Sequence, residues 1–173
     1  MANYLSLNEI NESCVEKCLK LPVIHNKDWW EEIDLDIFPQ PIRLEFNETI
    51  TERMPVHVKT HKGIYMFFIE PNHPFEPDIK HLMYVGRVQS GSTSFNFYKR
   101  FYDYVKCIGN KSAQINRQLL TNAWPNYTYV YFYCFDNKTD EEISHIEQVL
   151  YNKIVPPLNN NFEGKARQTR NLY

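Results

Sequence analysis

The stretch GIYMFFI at residues 63–69, together with LMYVG at residues 82–86, decides the fold of this chain. Both runs are rich in β-branched and aromatic residues and are bounded by turn-forming residues, which is the composition of β-strands. Prolines are dense in the segment between them, and a proline-rich segment cannot continue a strand ladder. The pattern therefore predicts an antiparallel hairpin that places Tyr65 and Tyr84 near each other on neighbouring strands.

Helices and one further strand are predicted downstream of this hairpin. Apolar residues at helical spacing predict helices over residues 94–107 and 110–122, and a capping-box sequence predicts a third helix over residues 139–154. The segment YTYVYFYCF at residues 127–135 carries apolar side chains on both faces. This pattern is typical of a central strand that is covered by helices on both sides. The elements together predict an α/β domain.

The N-terminal third of the chain gives weaker signals. A capping-box spacing and a helical apolar stripe predict a helix over residues 7–19, but from there to residue 58 no regular pattern is clear. We interpret residues 1–58 as an N-terminal extension packed on the core, residues 59–162 as the main domain, and residues 163–173 as a basic tail.

Charge is unevenly distributed along the chain, although the formal net charge is only −2. Residues 1–58 carry five Lys and Arg against eleven Asp and Glu, whereas residues 59–173 carry fourteen against ten. The only acid within residues 79–118 is Asp103, and such a block is a candidate footprint for a phosphate backbone. A solvated helix face is the alternative interpretation. The basic residues of the block are Lys80, Arg87, Lys99, Arg100, Lys106, Lys111 and Arg117.

The cysteines indicate a reducing compartment, because Cys14, Cys18, Cys107 and Cys134 form no Cys-x-x-Cys pair. Cys14 and Cys18 could join His25 in a zinc site, but small apolar residues on a helix face explain them better. No apolar run is long enough to span a bilayer and no signal peptide is evident. We therefore expect a cytoplasmic protein without a membrane partner.

Glu147 is the acidic residue whose position needs the most explanation. It lies four residues after Ile143 and three before Leu150, on or beside the inward stripe of the predicted helix. A carboxylate that faces a core is costly unless it is paired or bound to a metal ion. A salt bridge to a nearby arginine and a metal site both satisfy this requirement. Mg²⁺ is commonly held by a lone carboxylate, with water and phosphate oxygens in the remaining positions.

Six elements in a fixed order identify a resemblance to a known family. They are GIY at residues 63–65, YVG at residues 84–86, Arg100, Tyr104, Glu147 and Asn159. In this order they resemble the GIY-YIG nuclease superfamily, over residues 59–162. The resemblance implies a small three-stranded antiparallel sheet flanked by helices. Tyr65 and Tyr84 are separated by eighteen residues, a longer spacing than is common in the family, and a proline-rich insertion in the hairpin loop accounts for it.

The resemblance also implies a role for each matching side chain. Arg100 would stabilise the charge that develops at phosphorus, and Glu147 would hold Mg²⁺ or Mn²⁺. Tyr65 would orient or deprotonate the attacking water, and Tyr104 would pass the proton onward. Tyr84 would position water or a phosphate oxygen. On composition alone, Tyr65 and Tyr84 would instead be interpreted as core aromatics in a chain with twelve tyrosines.

The activity implied by the resemblance is metal-dependent hydrolysis of double-stranded DNA. Asn159 would tie the turn after Pro156 and Pro157 to the site by hydrogen bonds. The compact length is similar to that of type II restriction or anti-phage endonucleases, some of which cut both strands as homodimers. The basic residues expected to contact DNA are Lys62, Arg87, Lys99, Lys106, Lys111 and Arg117.

Three alternative functions remain open at this level. A repair or structure-selective nuclease would use the same chemistry on branched or damaged DNA. A nucleic-acid-binding module without catalysis would keep the basic block, although here every motif position is filled. A protein-interaction domain would use the apolar pair Trp29 and Trp30 as its contact patch.

Overall fold

The computed structural model describes residues 30–31, 33–34, 36–71, 79–89, 95–110, 112–160 and 162–164. The predicted helix over residues 7–19 lies outside the described residues, as do the candidate zinc ligands, Trp29, Lys111 and the tail from residue 165. Within the described part of the chain, no helix combines the length and apolar character needed to cross a membrane.

The described elements alternate between strands and helices. In chain order they are β1 (Ile42–Glu45), α1 (Ile50–Arg53), α2 (Val56–Thr60), β2 (Gly63–Ile69), β3 (His81–Val88), α3 (Phe97–Val105), α4 (Ile115–Asn122), β4 (Thr128–Cys134) and α5 (Asp140–Ile154). The predicted capping box is present at the start of α5, where Thr139 and Glu142 each bond the other's backbone. The predicted helix over residues 110–122 begins only at Ile115, because the preceding residues form hydrogen-bonded turns.

The strands form one antiparallel sheet in the order β1-β4-β2-β3. β2 pairs directly with β3, so the predicted hairpin is confirmed. Tyr65 lies opposite Gly86, and Tyr84 lies opposite Phe67. Tyr65 and Tyr84 are therefore diagonal neighbours on one face of the sheet, with ring centroids 6.1 Å apart.

The predicted strand count was wrong, because the sheet has four strands within the described residues and not three. The additional strand, β1, is only four residues long and pairs with β4. Its sequence, IRLE, is too short to show a clear alternation between the flanking prolines and turns. Ile50 and Val58 of the helices that follow are fully buried in the same core. Residues 42–58 are thus part of the α/β core.

β4 is covered on both faces, as its sequence predicts. Val130 and Phe132 join the core cluster that also contains buried residues of α1 to α4. Tyr131 faces the other way and joins the cluster formed with Ile143 and Ile146 of α5. The sheet is therefore a central layer with helices on each side, and α5 packs beside β3.

Candidate active site

A cleft of about 1040 Å³ opens where β2 and β3 meet the helices α3, α4 and α5. Eight of the side chains predicted for catalysis or DNA binding line it: Tyr65, Tyr84, Arg87, Arg100, Tyr104, Arg117, Glu147 and Asn159. They come from elements that are distant in the sequence. The fold brings them together in one cleft.

Three tyrosines form the floor of the cleft. The phenol oxygens of Tyr65 and Tyr104 are hydrogen-bonded at 3.2 Å, and both side chains are buried. Tyr84 packs beside Tyr65 but is only half-buried, so it is the tyrosine of this group that solvent reaches most readily. Burial is the largest cause that raises the pKa of Tyr65 well above its ordinary value. The Tyr65 phenol is therefore neutral at physiological pH.

Gly86 leaves the space that these phenol rings occupy. A Cβ atom at this position would lie 2.4 Å from Cζ and 2.5 Å from the hydroxyl oxygen of Tyr65, and 2.8 Å from Cε1 of Tyr84. Neither ring can occupy its present position if residue 86 carries a side chain. The room that the two rings need therefore explains why residue 86, the last of the second triplet, is glycine.

Replacing Gly86 with alanine should lower both the stability of the protein and the DNA cleavage that the resemblance to nucleases implies. We expect a loss of about 1–3 kcal/mol in the free energy of unfolding, because the new methyl group displaces Tyr65 or Tyr84. Chemical unfolding and plasmid cleavage at a temperature where the variant stays folded measure the two effects. Gly109→Ala is the matched control, since Gly109 has a φ of +71° and open space around it. That control should lose stability without a specific loss of cleavage, and an equal loss of cleavage in both variants would contradict the prediction.

The charge of Arg100 acts on both Tyr65 and the Glu147 carboxylate in the cleft. It lies on α3, one helical turn before Tyr104. Its positive charge lowers the pKa of Tyr65 and that of Glu147, although burial has the larger, opposite effect on each. The charge of an ionised Tyr65 is in turn the largest cause that raises the pKa of Arg100. One guanidinium therefore acts electrostatically on both walls of the cleft.

Glu147 is buried on α5 and forms an ion pair with Arg87, the residue that follows Gly86 on β3. An Arg87 nitrogen donates to Oε2 of Glu147. Burial raises the pKa of Glu147 despite this partner and despite Arg100. Of the two interpretations of Glu147, the salt bridge to an arginine is the contact observed. The same carboxylate also faces the cleft.

Several residues of the cleft were not predicted from the sequence. Asp140 and Tyr151 share the wall formed by α5, seven residues before and four residues after Glu147. This spacing on one helical stripe is a signal that could have found them. Lys62 donates to the Asp140 carboxylate at 3.3 Å but is not itself among the residues that line the cleft. The other unpredicted lining residues include Gln89, Phe95, Gln114, Asn116, Asn160 and Glu163.

The side chain of Asn159 pairs with the backbone at the outer edge of β3, in the way that a neighbouring strand would. Its Oδ1 accepts from the backbone N–H of Val85 at 2.9 Å, and its Nδ2 donates to the carbonyl of Val85 at 2.8 Å. The backbone N–H of Leu158 donates to the carbonyl of Met83 on the same edge. The turn after the two prolines is therefore tied to the strand that carries Tyr84 and Arg87.

Replacing Asn159 with aspartate should destabilise the protein by about 2–4 kcal/mol, because a buried carbonyl loses its donor and faces a carboxylate instead. Urea unfolding at neutral pH measures the change in free energy. Asn160→Asp makes the same chemical change on the exposed neighbour and should alter the free energy by no more than about 0.5 kcal/mol. Equal effects of the two substitutions would show that the paired hydrogen bonds to Val85 contribute nothing specific.

Among the described residues, the basic side chains predicted to contact DNA fall into two groups. Arg87 and Arg117 line the cleft, and the Arg117 guanidinium lies 5.6 Å from the ring centroid of Tyr104. Lys99 on α3 and Lys106, which directly follows α3, are exposed and do not line the cleft. The Lys106 ammonium lies 4.2 Å from the ring centroid of Tyr102. The described part of the basic block therefore has its arginines inside the cleft and its lysines on the outer surface.

The donor set in the cleft fits a metal ion that is shared with a substrate. Within the described residues, no group of three or more His, Cys, Asp and Glu side chains is placed to hold a metal ion. Glu147, whose Oε2 accepts from Arg87, also faces the cleft, and a lone carboxylate matches the way Mg²⁺ is bound when water and phosphate oxygens complete its octahedral shell.

Comparisons of this chain with protein-family models, with curated proteins and with solved structures found no match. The functional assignment therefore depends on the side chains of the cleft and on their chemistry.

Proposed function

We propose that the protein is an endonuclease that hydrolyses phosphodiester bonds of double-stranded DNA with Mg²⁺ or Mn²⁺. The observation that carries this proposal is the convergence of Tyr65, Arg100 and Glu147 in one cleft, where Arg100 acts electrostatically on both other groups. Hydrogen-bonded tyrosines can orient a water molecule for attack on a phosphate. An arginine and a buried carboxylate can stabilise the charge that develops, the carboxylate by holding a metal ion.

Substrate binding would use the arginines that line the cleft. Arg87, Arg100 and Arg117 each present a planar guanidinium to the same space. The guanidinium group matches two phosphate oxygens at once, which a lysine ammonium does not do. The exposed lysines Lys99 and Lys106, on α3 and directly after it, would add weaker contacts to the DNA backbone outside the cleft.

The chain's own residues would orient the reacting groups. Tyr65 is neutral and fixed by its hydrogen bond to Tyr104, so it suits orientation of the attacking water better than deprotonation. Tyr84 is more accessible and would hold a water molecule or a phosphate oxygen. Arg100 would stabilise the charge that develops on the phosphate. A divalent ion held by Glu147 would neutralise the phosphate and stabilise the leaving oxygen.

Plasmid cleavage tests the proposal directly. Supercoiled plasmid is incubated with the protein and Mg²⁺ or Mn²⁺, and EDTA provides the control. Nicked and linear products that EDTA abolishes would support the nuclease, whereas salt-sensitive DNA binding without cleavage under either ion would overturn it in favour of a binding module.

The DNA ends distinguish the biological types of nuclease. A defined sequence at every cut would favour a restriction or anti-phage enzyme, and we propose this type because of the compact domain. Cleavage confined to branched or damaged DNA would favour a repair or structure-selective nuclease instead. Light scattering with and without DNA would show whether the enzyme acts as a homodimer.

A further inference from the structure

We infer that the Arg87 guanidinium takes the place of a metal ion at the Glu147 carboxylate until a DNA phosphate binds Arg87 instead. Metal and DNA would then bind cooperatively. The inference rests on the proposed function. It concerns the order in which ligands assemble in the cleft, and it assigns to Arg87 a role as a positioning residue for the carboxylate.

The two partners of this ion pair have very different surroundings. The Glu147 side chain is 11% exposed, whereas that of Arg87 is 33% exposed. Glu147 is fixed on a packed helix between Ile143 and Leu150, which are both buried. Arg87 extends from β3 into the cleft, so its guanidinium can rotate outward while the carboxylate cannot follow. The arginine is therefore the partner that moves when the pair separates.

Glu147 keeps a cation beside its carboxylate in the structure. Its side chain is largely buried, and the guanidinium of Arg87 forms the ion pair with it. An ionised carboxylate left without a partner in this position would be strongly disfavoured. A divalent ion can replace Arg87 in this role, but it would compete for the same carboxylate and would be repelled by the guanidinium. In the free protein the metal site is consequently blocked by the chain itself.

A bound phosphate removes this block. It offers Arg87 two oxygens in the geometry that a guanidinium prefers, and it supplies further oxygens to the metal ion. DNA should then raise the affinity for metal, and metal should raise the affinity for DNA by the same factor. Other groups face the same space: Asp140 is engaged by Lys62, the Glu163 carboxylate accepts from Gln148, and Tyr151 borders Glu147. None of these replaces Glu147 as the partner of Arg87 in the structure described.

Direct measurement of Mn²⁺ binding tests the exchange without relying on cleavage. Free Mn²⁺ is followed by electron paramagnetic resonance, for the protein alone and with a pool of short random-sequence duplexes that gels show to remain intact. Arg87→Gln should bind Mn²⁺ about tenfold more tightly than the wild type in the absence of DNA, the size expected when one charge-assisted competitor is lost. The increase in Mn²⁺ affinity caused by DNA should shrink in this variant.

Matched variants separate the exchange from a general charge effect. Arg117→Gln removes the same charge from the same cleft without touching Glu147, and its Mn²⁺ affinity in the absence of DNA should change by no more than about twofold. Arg87→Lys keeps a competing charge and should bind Mn²⁺ like the wild type. An unchanged or weaker affinity of Arg87→Gln would overturn the inference, as would equal tightening by Arg117→Gln.

Failure of the proposed function would produce a different result. In that case neither the wild type nor any variant would bind Mn²⁺ in a way that depends on Glu147, with or without DNA. Glu147→Gln measured in the same titrations shows which situation holds. Loss of Mn²⁺ binding in Glu147→Gln, together with unchanged binding in Arg87→Gln, would leave the nuclease proposal supported and the exchange rejected.

Discussion

Replacing Glu147 with glutamine should lower the rate of DNA cleavage by at least about a hundredfold, and up to about a thousandfold, because removal of the charge that stabilises the transition state commonly costs this much. Glutamine has nearly the same shape as glutamate, but it is a poor ligand for a divalent ion. Single-turnover cleavage of supercoiled plasmid, with protein in excess and Mg²⁺ saturating, measures the chemical step.

The control for this substitution is Glu163→Gln, which removes a carboxylate that also lines the cleft but is exposed. Its cleavage rate should stay within about threefold of the wild type, since an exposed charge is screened by solvent. Thermal unfolding of both variants checks that they are folded. Near-normal cleavage by Glu147→Gln would remove from the mechanism the only buried carboxylate that the described residues place in the cleft and, with it, the proposed metal site.

The hairpin and the positions of its two tyrosines could be predicted from the sequence because strand periodicity is local information. Alternation of period two places Tyr65 and Phe67 on one face, and the proline-rich segment predicts the turn that brings β3 back beside β2. The faces of β4 followed from the same rule, with Val130 and Phe132 on one side and Tyr131 on the other. In each case a few neighbouring residues contain the whole signal.

The pairing of Arg87 with Glu147 could not be predicted in the same way. The two residues are 60 positions apart, and their contact depends on how α5 packs against β3. The sequence indicated only that a carboxylate on an apolar stripe needs a partner, and both a metal ion and an arginine satisfied that need. β1 was missed for a related reason, since four residues gain strand character mainly by pairing with β4.

The burial of Tyr65 narrows the chemistry that the cleft can perform. A phenol acts as a base only after losing its proton, and burial makes that loss harder here. Arg100 opposes this effect but does not overcome it. Orientation of water by a neutral phenol requires no ionisation, and the Tyr104 hydroxyl is close enough to fix the direction of the Tyr65 hydroxyl. In the proposed mechanism, Arg100 would therefore act on the transition state more directly than on the activation of Tyr65.

Replacing Arg100 with lysine should lower the rate of DNA cleavage by about a hundredfold, which is the typical cost of removing one preorganised donor from developing charge. Lysine keeps the positive charge, so a purely long-range electrostatic role would survive the substitution. It lacks the planar fork that can hold two phosphate oxygens. Arg100 is half-buried and lines the same cleft as Tyr65, Tyr84 and Tyr104. Single-turnover cleavage at saturating protein, with DNA binding measured separately, distinguishes the chemical step from affinity.

Lys99→Ala is the control, because Lys99 is the neighbour of Arg100 on α3 but is exposed outside the cleft. This variant should bind DNA more weakly than the wild type, most clearly at low salt, and keep a single-turnover rate within about threefold of the wild type. If Arg100→Lys cleaved at the wild-type rate, charge alone would suffice and the guanidinium would have no geometric role at phosphorus. If instead both variants lost affinity and kept their rates, Arg100 would be a DNA-binding residue and the transition-state charge would have to be stabilised from the Glu147 wall of the cleft.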